Sequence, residues 1–207
     1  MEKTMITNDD TSSDRRSLII DAATKLFCQN GYSGTRMSDI AEAINVTKPI
    51  VYRYFSSKEE LFAAWVDIVL VARRNEIVER IVNSNKSVKD EAYTILMNSV
   101  DGLGSPIILA PWRIAILESD NFPNITQLIR EKFKLPIFLA VKELFERGLK
   151  NKEIQGESAD VLARLFCSPI AAGASMFATF GLDYMSREET EHLFIAHHKS
   201  FFEKWSV

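Results

Sequence analysis

The sequence predicts an all-α chain in two parts, a small head followed by a larger helical domain. Three observations carry this. Apolar residues recur three and four positions apart through nearly every segment, the spacing of one helix face. No stretch shows the strict alternation of a half-buried strand, and no internal repeat or low-complexity tract appears. Helix-start signals, Ser57-Lys58-Glu59-Glu60 and Ser186 followed by Glu189, open two of the long runs.

In chain order, residues 1–14 (MEKTMITNDDTSSD) are polar and acidic and read as a disordered lead-in, not a signal peptide. A first helix is expected from about Arg15 to Asn30, with Leu18, Ile19, Ala22, Ala23, Leu26 and Phe27 as its stripe and Gly31 as the left-handed residue that ends it. Residues Thr35 to Lys58 read as two short helices joined by a tight turn. Met37, Ile40, Ala41 and Ile44 form one face of the first, which Thr35 is expected to cap. Asn45-Val46 breaks the pattern, Thr47 is a ready N-cap, and Pro49 falls in the first turn of the next helix, where its missing N–H costs nothing. Val51 and Phe55 would pack back, leaving Thr47, Lys48, Pro49, Tyr52 and Arg53 outward. That is a helix-turn-helix whose second helix shows solvent a cation, a hydroxyl and an aromatic ring, a surface suited to a DNA major groove.

A long helix is then expected from Ser57 to about Val82, carrying Leu61, Phe62, Trp65, Ile68, Val69 and Ala72, with Lys58 at its start within reach of a phosphate. Further helices are expected over about Val88–Asp101, Pro106–Glu118, Ile125–Gly148 with a kink at Pro136, Ser158–Leu182, and Ser186 to about Trp205. The domains read as 15–60 for the DNA-binding head and 61–207 for the rest.

The wording N-G-Y-S-G-T-R-M-S-D-I-A-E-A-I-N-V-T-K-P-I-V-Y-R-Y-F-S-S-K-E-E-L-F resembles the DNA-binding domain of TetR/AcrR-family transcriptional regulators nearly position for position, over roughly Arg15 to Leu61. The shared features are Phe27, Gly31-Tyr32, Thr35, Ile40-Ala41, Val46, Tyr52, Tyr54-Phe55 and Ser57-Lys58-Glu59. Two departures are visible: Asn45 stands where a small residue or glycine is usual, and Pro49 where glycine is common. The resemblance implies that Thr35 and Arg36 approach DNA phosphate. On the outward face of the second helix, Tyr52 and Tyr54 are expected to meet phosphate and backbone. A second stretch, W-R-I-A-I-L-E-S-D-N-F-P-N-I-T-Q-L-I-R-E-K, looks like the C-terminal domain of AefR-like members of that family. It implies a regulatory and dimerising domain without naming a ligand.

Composition agrees with a DNA-binding face on an acidic body. Net charge is -3, yet between Asn45 and Lys58 stand three cations (Lys48, Arg53, Lys58) and no acid. Two cysteines, Cys28 and Cys167, beside apolar neighbours, read as buried inert thiols of a reducing cytoplasm. Leu165 to Leu182 carries no charge over 18 residues, but its serines, glycines and proline make a buried helix the better reading than a membrane span. No nucleophile elbow, phosphate loop, dinucleotide fingerprint or metalloprotease motif occurs, so no enzyme, no metal and no cofactor is expected.

The last two helices suggest self-association. Ala171, Ala172, Gly173, Ala174, Ser175 and Ala178 permit close approach, and Leu193, Phe194, Phe201 and Phe202 supply bulk. By the resemblance these helices pair across a two-fold axis, which would present two recognition helices to a pseudo-palindromic operator. Trp65, Trp112, Phe138, Met176 and Phe177 are candidates to line a pocket for a small apolar or aromatic effector, with Arg113 or Glu118 as polar anchor. The expectation is a dimeric transcriptional regulator, a repressor released from double-stranded operator DNA by its effector. The alternative is an effector-independent architectural or nucleoid-associated DNA-binding protein.

Overall fold

A computed structural model of the chain describes residues 8–207, with side chains from residue 14 onward. The chain divides into two compact units, one ending at Ile68 and the other spanning Val69–Val207. Every named element among the described residues is a helix, and the one β-type pairing is an isolated bridge between Ile154 and Ser206.

The head is built from α1 (Asn8–Asn30), α2 (Met37–Ala43), α3 (Lys48–Tyr54) and α4 (Lys58–Trp65). Helix α1 begins at Asn8, well before Arg15. Of the expected lead-in, residues 1–7 lie outside the described residues. Gly31 ends α1 as its sequence position suggests, with φ 71° and its N–H donated to the Phe27 carbonyl at 3.1 Å. Ile19, Ala23, Phe27, Ile40, Val51, Phe55, Leu61 and Phe62 are buried as the head's core. The core continues past residue 60, because α4 packs on α1 through its aromatic rings.

The long helix expected from Ser57 to Val82 is interrupted. After Trp65 the chain widens into a π-helical segment, Val66–Val71, and returns to α-helix as α5 (Ala72–Val82). Unit two follows with α6 (Val88–Leu103), α7 (Pro106–Leu117), α8 (Pro123–Ile129), a second π-helical segment (Arg130–Lys134), α9 (Leu135–Lys150), α10 (Ala159–Phe180) and α11 (Arg187–Trp205). Helices α6 and α7 meet at a bend of 82°. Helix α9 packs against α5 and α10, and α6 against α11, around a core that includes Leu96, Phe145, Leu162, Phe166, Phe194 and Phe202.

The kink expected at Pro136 is instead a widened turn just before it. Proline has no N–H to give the carbonyl of Lys132, four residues back. That carbonyl accepts from the Arg74 guanidinium at 3.0 Å, which ties the π segment to α5. The capping box at Ser186 forms as its sequence indicates: Ser186 Oγ accepts from Glu189 N–H at 3.1 Å and Ser186 N–H donates to the Glu189 carboxylate at 2.8 Å. At Ser57 the box is shifted by one residue. Ser57 Oγ accepts from Glu60 N–H at 3.1 Å, but the Glu60 carboxylate reaches back to the Ser56 N–H at 2.7 Å.

Helix α10 departs most from expectation. It is long and apolar, yet only 28% of its most apolar 18-residue window is buried. Val161, Leu165, Ala172, Met176 and Phe180 are exposed at four- and seven-residue intervals, which makes one continuous outward stripe. Gly173 and Ala174, expected at a subunit interface, point the other way. Ala174 is buried in the core, and a Cβ added to Gly173 would come 3.2 Å from Leu103 Cδ1.

Candidate functional site

The helix-turn-helix is assembled from short-range chemistry. Met37, Ile40 and Ala41 are buried beneath α2, and Val51 beneath α3. The turn between them needs one left-handed residue, and Asn45 takes it at φ 54°, a conformation asparagine tolerates better than most side chains. Thr47 stands at the N-cap of α3 with extended backbone, and Pro49 occupies the first turn. With Val51 and Phe55 turned inward, Thr47, Lys48, Pro49, Tyr52 and Arg53 are all exposed. Two cations lie near aromatic rings on this surface: Lys48 Nζ is 5.5 Å from the Tyr52 centroid and the Arg53 guanidinium 5.3 Å from that of Tyr54. These contacts narrow the rotamers of long side chains while leaving their charge open to solvent. No carboxylate is paired with Lys48 or Arg53 among the described residues.

Two of the residues expected at this surface, Thr35 and Lys58, sit differently. Thr35 is fully buried, and its hydroxyl donates to the Gly31 carbonyl at 2.8 Å, so it braces the turn after α1. The N-cap of α2 is Arg36, whose backbone N–H donates to the Asp39 carboxylate at 3.0 Å. The Arg36 side chain is exposed. Lys58 does not present a free ammonium. Its Nζ donates to the carbonyls of Tyr32 at 2.9 Å and Thr35 at 3.1 Å and lies 4.2 Å from the Tyr32 ring. The charge locks the α1–α2 connection onto the start of α4. Beside it, the Tyr32 hydroxyl donates to Glu59 at 2.9 Å, and local backbone and Tyr32 hydrogen bonds hold the Glu59 carboxyl below its usual range.

Unit two contains a cavity of about 290 Å³ among α5, α6, α7, α9, α10 and the second π segment. Trp112 and Phe138 line it, as expected. The other candidates lie elsewhere. Trp65 is fully buried in the head, 5.4 Å from Phe27 and 5.1 Å from Phe62 by ring centroids. Arg113 is exposed, Glu118 is buried at the C-cap of α7, Met176 is on the outward stripe of α10, and Phe177 packs edge-on to Tyr184. Residues missed from sequence are Arg73, Ile77 and Arg80 of α5, Phe133 and Lys134 of the π segment, and Cys167. Their common signal, a helical stripe shared between distant segments, has no local signature. Burial pushes the Cys167 thiol up to about 12, which keeps it protonated and unreactive.

No group of three or more His, Cys, Asp or Glu residues among those described has metal-binding geometry. His197 hydrogen-bonds the Phe166 carbonyl at 3.1 Å, and His198 that of Lys89 at 2.9 Å.

Residues 19–65 match the family described as bacterial regulatory proteins of the tetR family. The chain is 40% identical over 81 residues to YhgD of Bacillus subtilis, named as an uncharacterized HTH-type transcriptional regulator. It is 34% identical over 82 residues to IcaR of Staphylococcus aureus, the HTH-type negative transcriptional regulator of the biofilm operon icaADBC. These alignments take in 39% and 40% of this chain but only 36% and 44% of the relatives' lengths. Across most of its length the fold is similar to that of a protein from Mesorhizobium loti assigned to the TetR family of transcriptional regulators. The TM-score is 0.78 at 23% identity, covering 95% of this chain and 98% of that one.

Proposed function

We propose that this chain, with its TetR-family head, is a dimeric transcriptional repressor released from a palindromic operator by a small molecule. One observation carries the DNA-binding part: the row of exposed groups, Thr47, Lys48, Pro49, Tyr52 and Arg53, stands over a helix-turn-helix that buries Met37, Ile40, Ala41, Val51 and Phe55 on its other side. In this reading Lys48 meets a base edge or a phosphate, Arg53 and the two tyrosines hold the backbone, and Pro49 meets a thymine methyl. Repression is supported by the named role of IcaR, to which this chain is 34% identical over 82 residues.

Dimerisation is supported by the outward apolar stripe of α10 together with exposed Leu193 and Ile195 on α11. A stripe of that length on a monomer would be exposed to water along its whole run, and pairing with its two-fold copy covers it. The same occupant accounts for α10's apolarity without a membrane. The stretch from Trp112 to Lys132 supports an AefR-like regulatory domain. Effector control is supported by the cavity, whose wall takes Arg73, Ile77 and Arg80 from the run of helix that begins, as α4, in the head. A ligand that prefers the head spacing unfit for the operator lowers DNA affinity by that preference.

Selection of bound sites from a random duplex pool tests this reading. The full chain should enrich an inverted repeat with half-sites about one helical turn apart. Retention of every sequence equally would favour an architectural DNA-binding protein instead.

A further inference from the structure

The cavity of unit two has an uneven chemistry. Most of its wall is aliphatic or aromatic, and its charged members are Arg73, Arg80 and Lys134, all cations, with no aspartate or glutamate among the lining residues. Two of these cations already have a carboxylate. Arg73 is 2.9 Å from Glu76, and Arg80 lies 3.9 Å from the buried Glu91, near enough to balance its charge but too far for a hydrogen bond. Lys134 does not: its ammonium lies 3.6 Å from the centroid of the Trp112 ring, and no carboxylate among the described residues is paired with it. Burial alone draws its pKa below the usual lysine range.

An ammonium half withdrawn from water and held against an aromatic face lacks the acceptor that would offset its desolvation. A cationic ligand would be repelled by all three basic groups. A neutral apolar ligand would cover Lys134 further and supply no acceptor. Glu76 and Glu91 already balance the charges of the two guanidinium groups, so a dianion such as a phosphate ester would bring one charge more than the cavity leaves uncompensated. One negative charge matches Lys134, the lining cation with no carboxylate within 4 Å among the described residues. At about 290 Å³ the cavity stands at the small end of the usual range of ligand pockets, which favours a small molecule.

We propose that the effector cavity is built for a small monocarboxylate with an apolar body, its carboxylate on Lys134 beside Trp112 and its body along Ile77, Leu109 and Phe138. This rests on the reading of unit two as the effector domain and names the class of molecule it takes. The Pro136-widened turn is what places Lys134 there, since Arg74 anchors that turn through the Lys132 carbonyl.

The test uses the full chain and three probes with the same eight-carbon body: octanoate, octan-1-ol and octylamine. Binding is followed by titration calorimetry and by tryptophan fluorescence. Octanoate should bind about tenfold or more tighter than octan-1-ol, the ratio that one charge-assisted pair readily supplies, and octylamine should bind weakest. Lys134→Met, checked for an unchanged thermal midpoint, should erase the preference for octanoate while retaining octan-1-ol. Lys134→Arg should keep much of it. Equal binding of octanoate and octan-1-ol by the unaltered chain overturns the proposal, as does a preserved preference in Lys134→Met or no binding of any probe. Operator release is measured separately. If octanoate binds through Lys134 but never releases DNA, the monocarboxylate site stands and the effector reading falls. If an uncharged compound releases DNA and octanoate does not bind, the reverse holds.

Discussion

Lys48, Arg53 and Lys58 look alike in the sequence and differ in what surrounds them. Lys48 and Arg53 are exposed near tyrosine rings, whereas the Lys58 ammonium is bonded to two carbonyls. Alanine at Lys48 or Arg53 should weaken operator binding and lower the log–log salt slope by roughly 0.9 for each phosphate no longer neutralised. Alanine at Lys58 should instead lower stability, by about 1–2 kcal/mol, the scale of hydrogen bonds to a charged group discounted for partial exposure. Binding titrations against salt and urea melts on the three variants separate the two roles. A wild-type slope for both Lys48→Ala and Arg53→Ala would remove α3 from the DNA surface. Asn45 carries a second test at this scale. Its φ of 54° is costly for a β-branched residue, so Asn45→Val should destabilise the head by about 1–2 kcal/mol and Asn45→Gly should leave it near neutral. Denaturant midpoints decide it, and an unaffected Asn45→Val would mean the turn readjusts.

Among the elements, α10 has two faces with different duties. The inner one, with Ala163, Phe166 and Ala174, belongs to the core, and the outer one, from Val161 to Phe180, is apolar and open. Leu165→Glu combined with Phe180→Glu should yield a folded monomer that binds operator weakly, because binding at one half-site no longer holds the second head near the other. Ala174→Asp should destabilise the fold itself, since it buries an unpaired charge. Sedimentation with circular dichroism distinguishes these outcomes. A dimeric Leu165→Glu/Phe180→Glu variant would move the interface elsewhere. The same division places Gly173 and Ala174, small and suggestive in the sequence, on the inner face: their side of the helix meets Leu103 and its neighbours.

For the whole molecule the question is whether a ligand in one unit alters the affinity of the other for DNA. If it does, thermodynamic linkage makes the effect reciprocal: the factor by which effector weakens operator binding is the factor by which operator weakens effector binding. Couplings of about 1–3 kcal/mol, roughly 5–150-fold, are the usual range. Trp112→Ala should cut this coupling while leaving unliganded operator affinity near wild type, because Trp112 lines the cavity and lies outside the head. Measuring both affinities with and without the other ligand closes the cycle. Full induction of a folded Trp112→Ala variant would place the effector site elsewhere.

Much of this protein was legible without its structure because the relevant physics is local. Helical periodicity, the Asn45 turn, the Pro49 first turn, the Gly31 stop and the Ser186 box each depend on residues within a few positions of one another, and each forms where the sequence places it. The exposed row of α3 follows directly from which residues on that helix are apolar. What only the tertiary structure decided depends on which helix faces meet. Thr35 and Lys58 turn inward because each finds backbone carbonyls in the loop after α1. Trp65 belongs to the head because Phe27 and Phe62 receive it. The cavity joins side chains from Arg73 to Ala174, so neither its place nor its unpaired Lys134 can be read from any one segment. Spacing along a chain specifies a helix and its faces, and only packing specifies what each face touches.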